Sequence, residues 1–66
     1  MKVLIIDNEV HLRKGLKLLL QSVTNDITAI EEADGVQSGL QAIKVFTPDI
    51  VLLDVEMDDG TGFDLL

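Results

Sequence analysis

PDIVLLD, residues 48–54, and MKVLIID, residues 1–7, decide how this chain folds. Each holds four consecutive apolar residues, Ile50 to Leu53 and Val3 to Ile6, and each run stops on an aspartate, Asp54 and Asp7. Short runs rich in β-branched side chains suit strands covered on both faces, as in a parallel sheet. A third candidate, Ile27 to Glu32, mixes Ile27, Ala29 and Ile30 with polar residues and reads as an edge strand.

The segments between these runs have helical spacing. Leu12, Leu16, Leu19 and Val23 recur at intervals of four, three and four, which predicts one buried helical stripe, widened by Leu18 and Leu20. Gly15 inside it costs about 1 kcal/mol relative to Ala, which packing of the seven apolar residues from Val10 to Val23 can offset. Asn8 suits the N-cap, and Asn25-Asp26 reads as the closing turn. For the second helix, Asp34 is the expected N-cap, with Gln37 at capping-box spacing and Val36, Leu40 and Ile43 as the buried stripe. Thr47-Pro48 ends it, because proline biases its predecessor away from helical angles.

Strand, helix, strand, helix, strand is an α/β order, with parallel strands joined by right-handed crossovers. A three-helix bundle fails on the short apolar runs. After Asp54 a loop with Gly60 and Gly62 is expected, and Phe63, Leu65 and Leu66 read as the start of a third helix. A doubly wound domain typically needs more than about 100 residues, so residues 1–66 are expected to be the N-terminal part of a single domain, with no second domain.

Composition narrows the function. Twelve carboxylates against five cations give a net charge of −7. That disfavours direct contact with nucleic acid and is compatible with a cation site, a basic partner or mere solubility. The chain has no cysteine, which removes disulfides and thiolate metal sites. The apolar run at residues 3–6 is too short for a signal peptide or a membrane span, so a cytoplasmic location without membrane contact is expected.

In an open parallel sheet, ligands bind beyond the carboxyl ends of the strands, near the point where strand order reverses. Asp7 and Asp54 both fall there. Either one alone is well explained as a turn former or N-cap; the pair points to an ion or phosphate site. Two neighbouring carboxylates repel unless a cation lies between them. Mg²⁺ fits, because it typically takes one or two carboxylates together with waters and a phosphate. With its charge screened, Asp54 could attack phosphorus in line and form an aspartyl phosphate.

The residues KVLIIDNE, EEADG, PDIVLLDVEM and GTGFDLL, with Leu40, Ala42 and Ile43 between them, resemble the receiver domain of two-component response regulators along the whole chain. The Pro-Asp entry, the apolar strand, Asp54 and Met57 carry the likeness best. The resemblance implies a flavodoxin-like sandwich of five parallel strands, here its first three in spatial order 2-1-3 with two helices. It also implies a phosphoacceptor function, with at most self-phosphorylation and dephosphorylation chemistry of its own, and a histidine kinase or phosphotransfer protein as donor.

By the same resemblance Asp54 is the phosphoacceptor and a metal ligand, Asp7 is the first of an acidic pair, and Glu56 binds Mg²⁺ through its backbone carbonyl. Two positions depart from the family pattern. Asn8 stands where a second acid is usual, which implies weaker metal affinity, with Glu9 as a possible auxiliary. Asp58 stands where proline is usual. The family's hydroxyl-bearing Ser or Thr and its Lys lie on fourth and fifth strands, which this sequence does not reach, so phosphorylation of these residues alone is not expected.

Other readings compete less well. Asp58, Asp59, Gly60 and Thr61 resemble the signature of haloacid-dehalogenase-like phosphatases, but Met57 stands where the nucleophilic acid belongs. Asp54, Glu56 and Asp58 fail as a calcium loop, with Asp59 at its glycine position and Leu65 at its closing glutamate. His11 suits a solvent-exposed or capping role better than catalysis. A non-catalytic alternative is an assembly half-domain that pairs through its uncovered third strand, and self-association is expected on that ground.

Overall fold

A computed structural model describes residues 1–54, 56–57 and 60–61. Its elements in chain order are β1 (Lys2–Ile6), α1 (Val10–Val23), β2 (Ala29–Ala33), α2 (Val36–Phe46), β3 (Ile50–Leu53), β4 (Glu56–Met57) and β5 (Gly60–Thr61). The first, second and third strands form a parallel sheet in the order β2-β1-β3. This is the expected doubly wound arrangement of a flavodoxin-like α/β fold. The expected third helix lies outside the described residues. Where an open loop is expected after Asp54, β4 and β5 pair antiparallel, Glu56 with Thr61 and Met57 with Gly60.

The central strand is the most buried element. Val3, Leu4, Ile5 and Ile6 are all 2% exposed or less, and burying side chains of this size stabilises by about 1.5–3 kcal/mol each. Alternation along the strand divides them. Leu4 and Ile6 meet Ala33 and Val36, with Ala42, Ile43, Phe46 and Leu53 packed against them. Val3 and Ile5 turn to the opposite face.

The helices depart from expectation at their caps and stripes. The N-cap position of α1 is Glu9 and not Asn8; the Glu9 N–H instead donates to Asp7 Oδ1 at 2.9 Å. The entrance to α2 is shifted one residue from the expected Asp34/Gln37 box. Gly35 takes the N-cap position, and Ser38 Oγ accepts from the N–H groups of Asp34 and Gly35 while donating to Asp34 Oδ1 at 2.7 Å. The buried face of α2 includes Val36 and Gly39, whereas Leu40 is exposed.

The stripe of α1 is corrected more strongly. Leu12, Leu19 and Val23 are more than half exposed, and only Leu16 and Leu20 along it are partly covered. The stripe is wider than a three-stranded sheet can cover, so its flanks stay in contact with solvent.

Proline acts as expected at the end of α2. Thr47, ahead of Pro48, stops the helix in the left-handed region at φ 47°, ψ 63°. Lys2 reinforces this terminus. Its Nζ donates to the Phe46 carbonyl at 2.5 Å and to Thr47 Oγ1 at 3.0 Å, and lies 5.1 Å from the centre of the Phe46 ring. A cation is favoured there because the last carbonyls of a helix carry partial negative charge. The Lys2 main chain also accepts the Asp49 N–H at 2.8 Å and donates to Asp49 Oδ2 at 2.7 Å, which pins the start of β3 beside β1.

Candidate functional site

The register builds the site. Ile6 pairs with Leu53, so the next residues, Asp7 and Asp54, stand side by side just past the ladder of β1 and β3. Neighbouring strands lie about 4.8 Å apart, and side chains in register share a face. Backbone bonds hold both residues in place: Asp7 N–H donates to the Ala33 carbonyl at 3.0 Å, and Asp54 N–H to the Ile6 carbonyl at 2.9 Å. Asp7 therefore continues the line from β1 to β2, and Asp54 the line from β3 to β1.

Both aspartates line one cleft of about 500 Å³ with Ile5, Leu16, Leu52 and the neighbouring strand residues. The cleft opens between the carboxyl edge of the sheet and α1. Its floor is apolar, from Ile5 and Leu52, and its rim carries two partly buried carboxylates. Asp7 Oδ1 is occupied by the Glu9 N–H. The turn-forming reading of Asp7 is met through Oδ1.

The other expected site residues are placed less closely. Asn8 and Glu9 are exposed on the loop that leaves β1, beside Asp7 in sequence but outside the residues that line the cleft. Glu56 lies two residues past Asp54, in β4. Asp58 lies outside the described residues. Among the described residues no group of three or more His, Cys, Asp or Glu assembles as a metal cluster. A hard, oxygen-seeking cation that keeps several waters typically takes only one or two carboxylates, and Asp7 and Asp54 are the two carboxylates that line the cleft among the described residues.

One residue of the site was not anticipated from sequence. Arg13, the fourth residue of α1, donates through Nη1 to the Asp7 carbonyl at 2.5 Å and through Nε to Glu32 Oε1 at 3.2 Å. The available signal was a cation one turn into the helix that follows a strand-terminal acid, with an unclaimed glutamate in the apolar run of the second strand.

A three-stranded parallel sheet in the order 2-1-3, with paired aspartates at its carboxyl edge, defines a flavodoxin-like α/β unit with an acidic site at its switch point. Within that class, residues 3–66 match the response regulator receiver domain, and the chain belongs to this family of two-component signalling modules.

Among curated relatives, the sensory transduction protein LytT of Bacillus cereus is 40% identical over 65 residues, covering 98% of this chain and 26% of that protein. The transcriptional regulatory protein YdfI of Bacillus subtilis is 38% identical, over 98% of this chain and 30% of the relative. The nitrate/nitrite response regulator protein NarL of Escherichia coli is 36% identical, over 97% and 29%. The chain therefore spans about a quarter to a third of the length of these relatives. No solved structure matches the chain significantly. Among the described residues, no helix is long and apolar enough to cross a membrane.

Proposed function

We propose that this chain carries the phosphoacceptor of a two-component response regulator, with Asp54 receiving a phosphoryl group from a histidine kinase or phosphotransfer protein. The observation that carries this reading is the side-by-side placement of Asp7 and Asp54 on one cleft at the carboxyl edge of adjacent parallel strands. Their residue types suit Mg²⁺, held by Asp7, Asp54 and the Glu56 backbone carbonyl, with Asn8 as a neutral amide ligand and Glu9 as an auxiliary. When bound, the ion supplies neutralisation of charge on the transferring phosphoryl oxygens.

In the transfer, a carboxylate oxygen of Asp54 forms the new O–P bond as the donor's P–N bond breaks, and the departing imidazole takes a proton from solvent. The apolar floor of Ile5 and Leu52 excludes water from one side of the reacting carboxylate. The added charge on Asp54 then biases a two-state surface elsewhere in the domain. In this role the chain is a substrate of its donor, with no turnover reaction of its own beyond self-phosphorylation and dephosphorylation.

The test uses these residues within a complete receiver domain. Treated with Mg²⁺ and a small acyl phosphate, the wild type should gain the mass of one phosphoryl group and Asp54→Asn should gain none. A full gain by Asp54→Asn would remove Asp54 from the role.

A second reading, assembly through the sheet edge, is favoured by one observation. Ile50 and Val51 are about 40% exposed on β3, which ends the parallel sheet among the described residues. Apolar sheet edges invite pairing with another chain. Size-exclusion chromatography with light scattering on residues 1–66 should show species larger than a monomer as concentration rises; a monomer throughout would exclude this reading.

A further inference from the structure

Arg13 lies outside the residues that line the cleft, yet it is tied to Asp7. The register pairs Ile5 with Glu32, so Glu32 rises on the same face of the sheet as Ile5 and Asp7, the face that α1 crosses. The Arg13 side chain, only 14% exposed, spans the gap between them. Its planar fork takes the Asp7 carbonyl with one arm and the Glu32 carboxylate with another, and Lys17 Nζ stands 3.9 Å from the second Glu32 oxygen. A lysine at this position would offer both acceptors a single nitrogen in place of the planar fork.

Every fixed group of Asp7 is thereby engaged. Its N–H is held by Ala33, its Oδ1 by the Glu9 N–H and its carbonyl by Arg13. The Arg13 bond engages the carbonyl of the peptide plane that leads from Asp7 into the exposed Asn8–Glu9 loop. We propose that Arg13 is a positioning residue for this site: by tying the Asp7 carbonyl to Glu32 it fixes the turn that holds the Asp7 carboxylate at the cleft. The inference rests on the metal-assisted reading given above, and it concerns how the chain prepares its ligand before the ion arrives. Groups that orient a metal ligand from outside matter because a misaimed carboxylate must be reordered on binding.

Charge alone predicts the opposite result. Arg13 brings a cation close to a cation site, so if its influence were purely electrostatic, its removal would tighten metal binding. If it positions Asp7, its removal weakens binding despite the lost repulsion. Metal affinity thus separates the two by sign.

The experiment is a titration of the intact protein with Mn²⁺ alone, with free ion followed by electron paramagnetic resonance, alongside thermal unfolding of each variant. Arg13→Met should raise the Mn²⁺ Kd about 10-fold. Arg13→Lys, which keeps the charge but not the planar fork, should fall between Arg13→Met and wild type, and it also serves if Arg13→Met does not fold. Lys17→Met removes a cation from Glu32 without touching Asp7 and should bind Mn²⁺ as well as wild type or better. An unchanged or lower Kd in Arg13→Met, or in Arg13→Lys if that alone folds, overturns the proposal. So does an equal weakening in Lys17→Met. Asp7→Asn in the same series separates the two readings: if it binds as wild type does, or if wild type binds no Mn²⁺, the metal-assisted reading itself falls. If Asp7→Asn loses binding while Arg13→Met keeps it, only the role of Arg13 falls.

Discussion

Helix α2 seals its face of the sheet, whereas α1 only roofs the other. Under α2, Leu4 and Ile6 of β1 join Ala33 and Val36 in one cluster with Ala42, Ile43, Phe46 and Leu53 against it. Under α1, the strand residues Val3 and Ile5 are as fully buried, but the helix has no buried residue of its own and leaves the cleft between Leu16 and the two aspartates. The difference separates two tasks on one sheet. A face that holds the fold together must exclude water, while a face that admits an ion and a phosphoryl donor must leave an opening, and the least tightly packed elements of a protein are commonly those that bind.

The largest effect should come from cutting into the sealed face. Leu4→Ala removes a side chain that is fully buried between sheet and α2 and should cost about 3 kcal/mol. Leu19→Ala, on the exposed flank of α1, should stay within about 0.5 kcal/mol. Urea unfolding monitored by circular dichroism measures both. Equal losses would mean that α1 is packed as tightly as α2, and the contrast between the two faces would be gone.

A smaller effect should come from the end of α2, where Lys2 bonds the last carbonyl and lies beside the Phe46 ring. Lys2→Met keeps an apolar stem but loses the charge and both hydrogen bonds, and should destabilise by about 1 kcal/mol. Raising the salt concentration should not erase the difference if the partly buried Phe46 contact matters more than exposed charge.

The smallest effect should have the opposite sign. A Cβ at Gly15 would meet no atom within 4 Å, so Gly15→Ala should stabilise the protein by up to about 1 kcal/mol through helix propensity alone. A loss of stability in the same unfolding assay would show that α1 lies closer to a neighbour than its exposure suggests.

The order of elements was legible because it rests on local patterns. The apolar runs at Val3–Ile6 and Ile50–Leu53 set the central strand β1 and its neighbour β3, and the leucine spacing set α1 at Val10–Val23. The caps were less legible, since Asp34, Gly35 and Ser38 offer several ways of closing the same turn and only packing of Val36 against Leu4 and Ile6 selects one. The two aspartates could be placed at strand ends from sequence. Their adjacency followed from the switch-point argument and the 2-1-3 order that the resemblance implies, and the pairing of Ile6 with Leu53 realises it.

By itself, the sequence determined that the chain is α/β, that its strands are parallel and that acids stand at their carboxyl ends, since periodicity and chain direction act over a few residues. Tertiary structure alone decided which apolar side chains are covered, because a helix stripe is buried only where a sheet lies beneath it. It also brought Arg13, Asp7 and Glu32 together from three elements. A contact between residues 19 apart in the chain leaves no periodic trace in sequence; it exists only once β1 and β2 have paired and α1 has crossed above them.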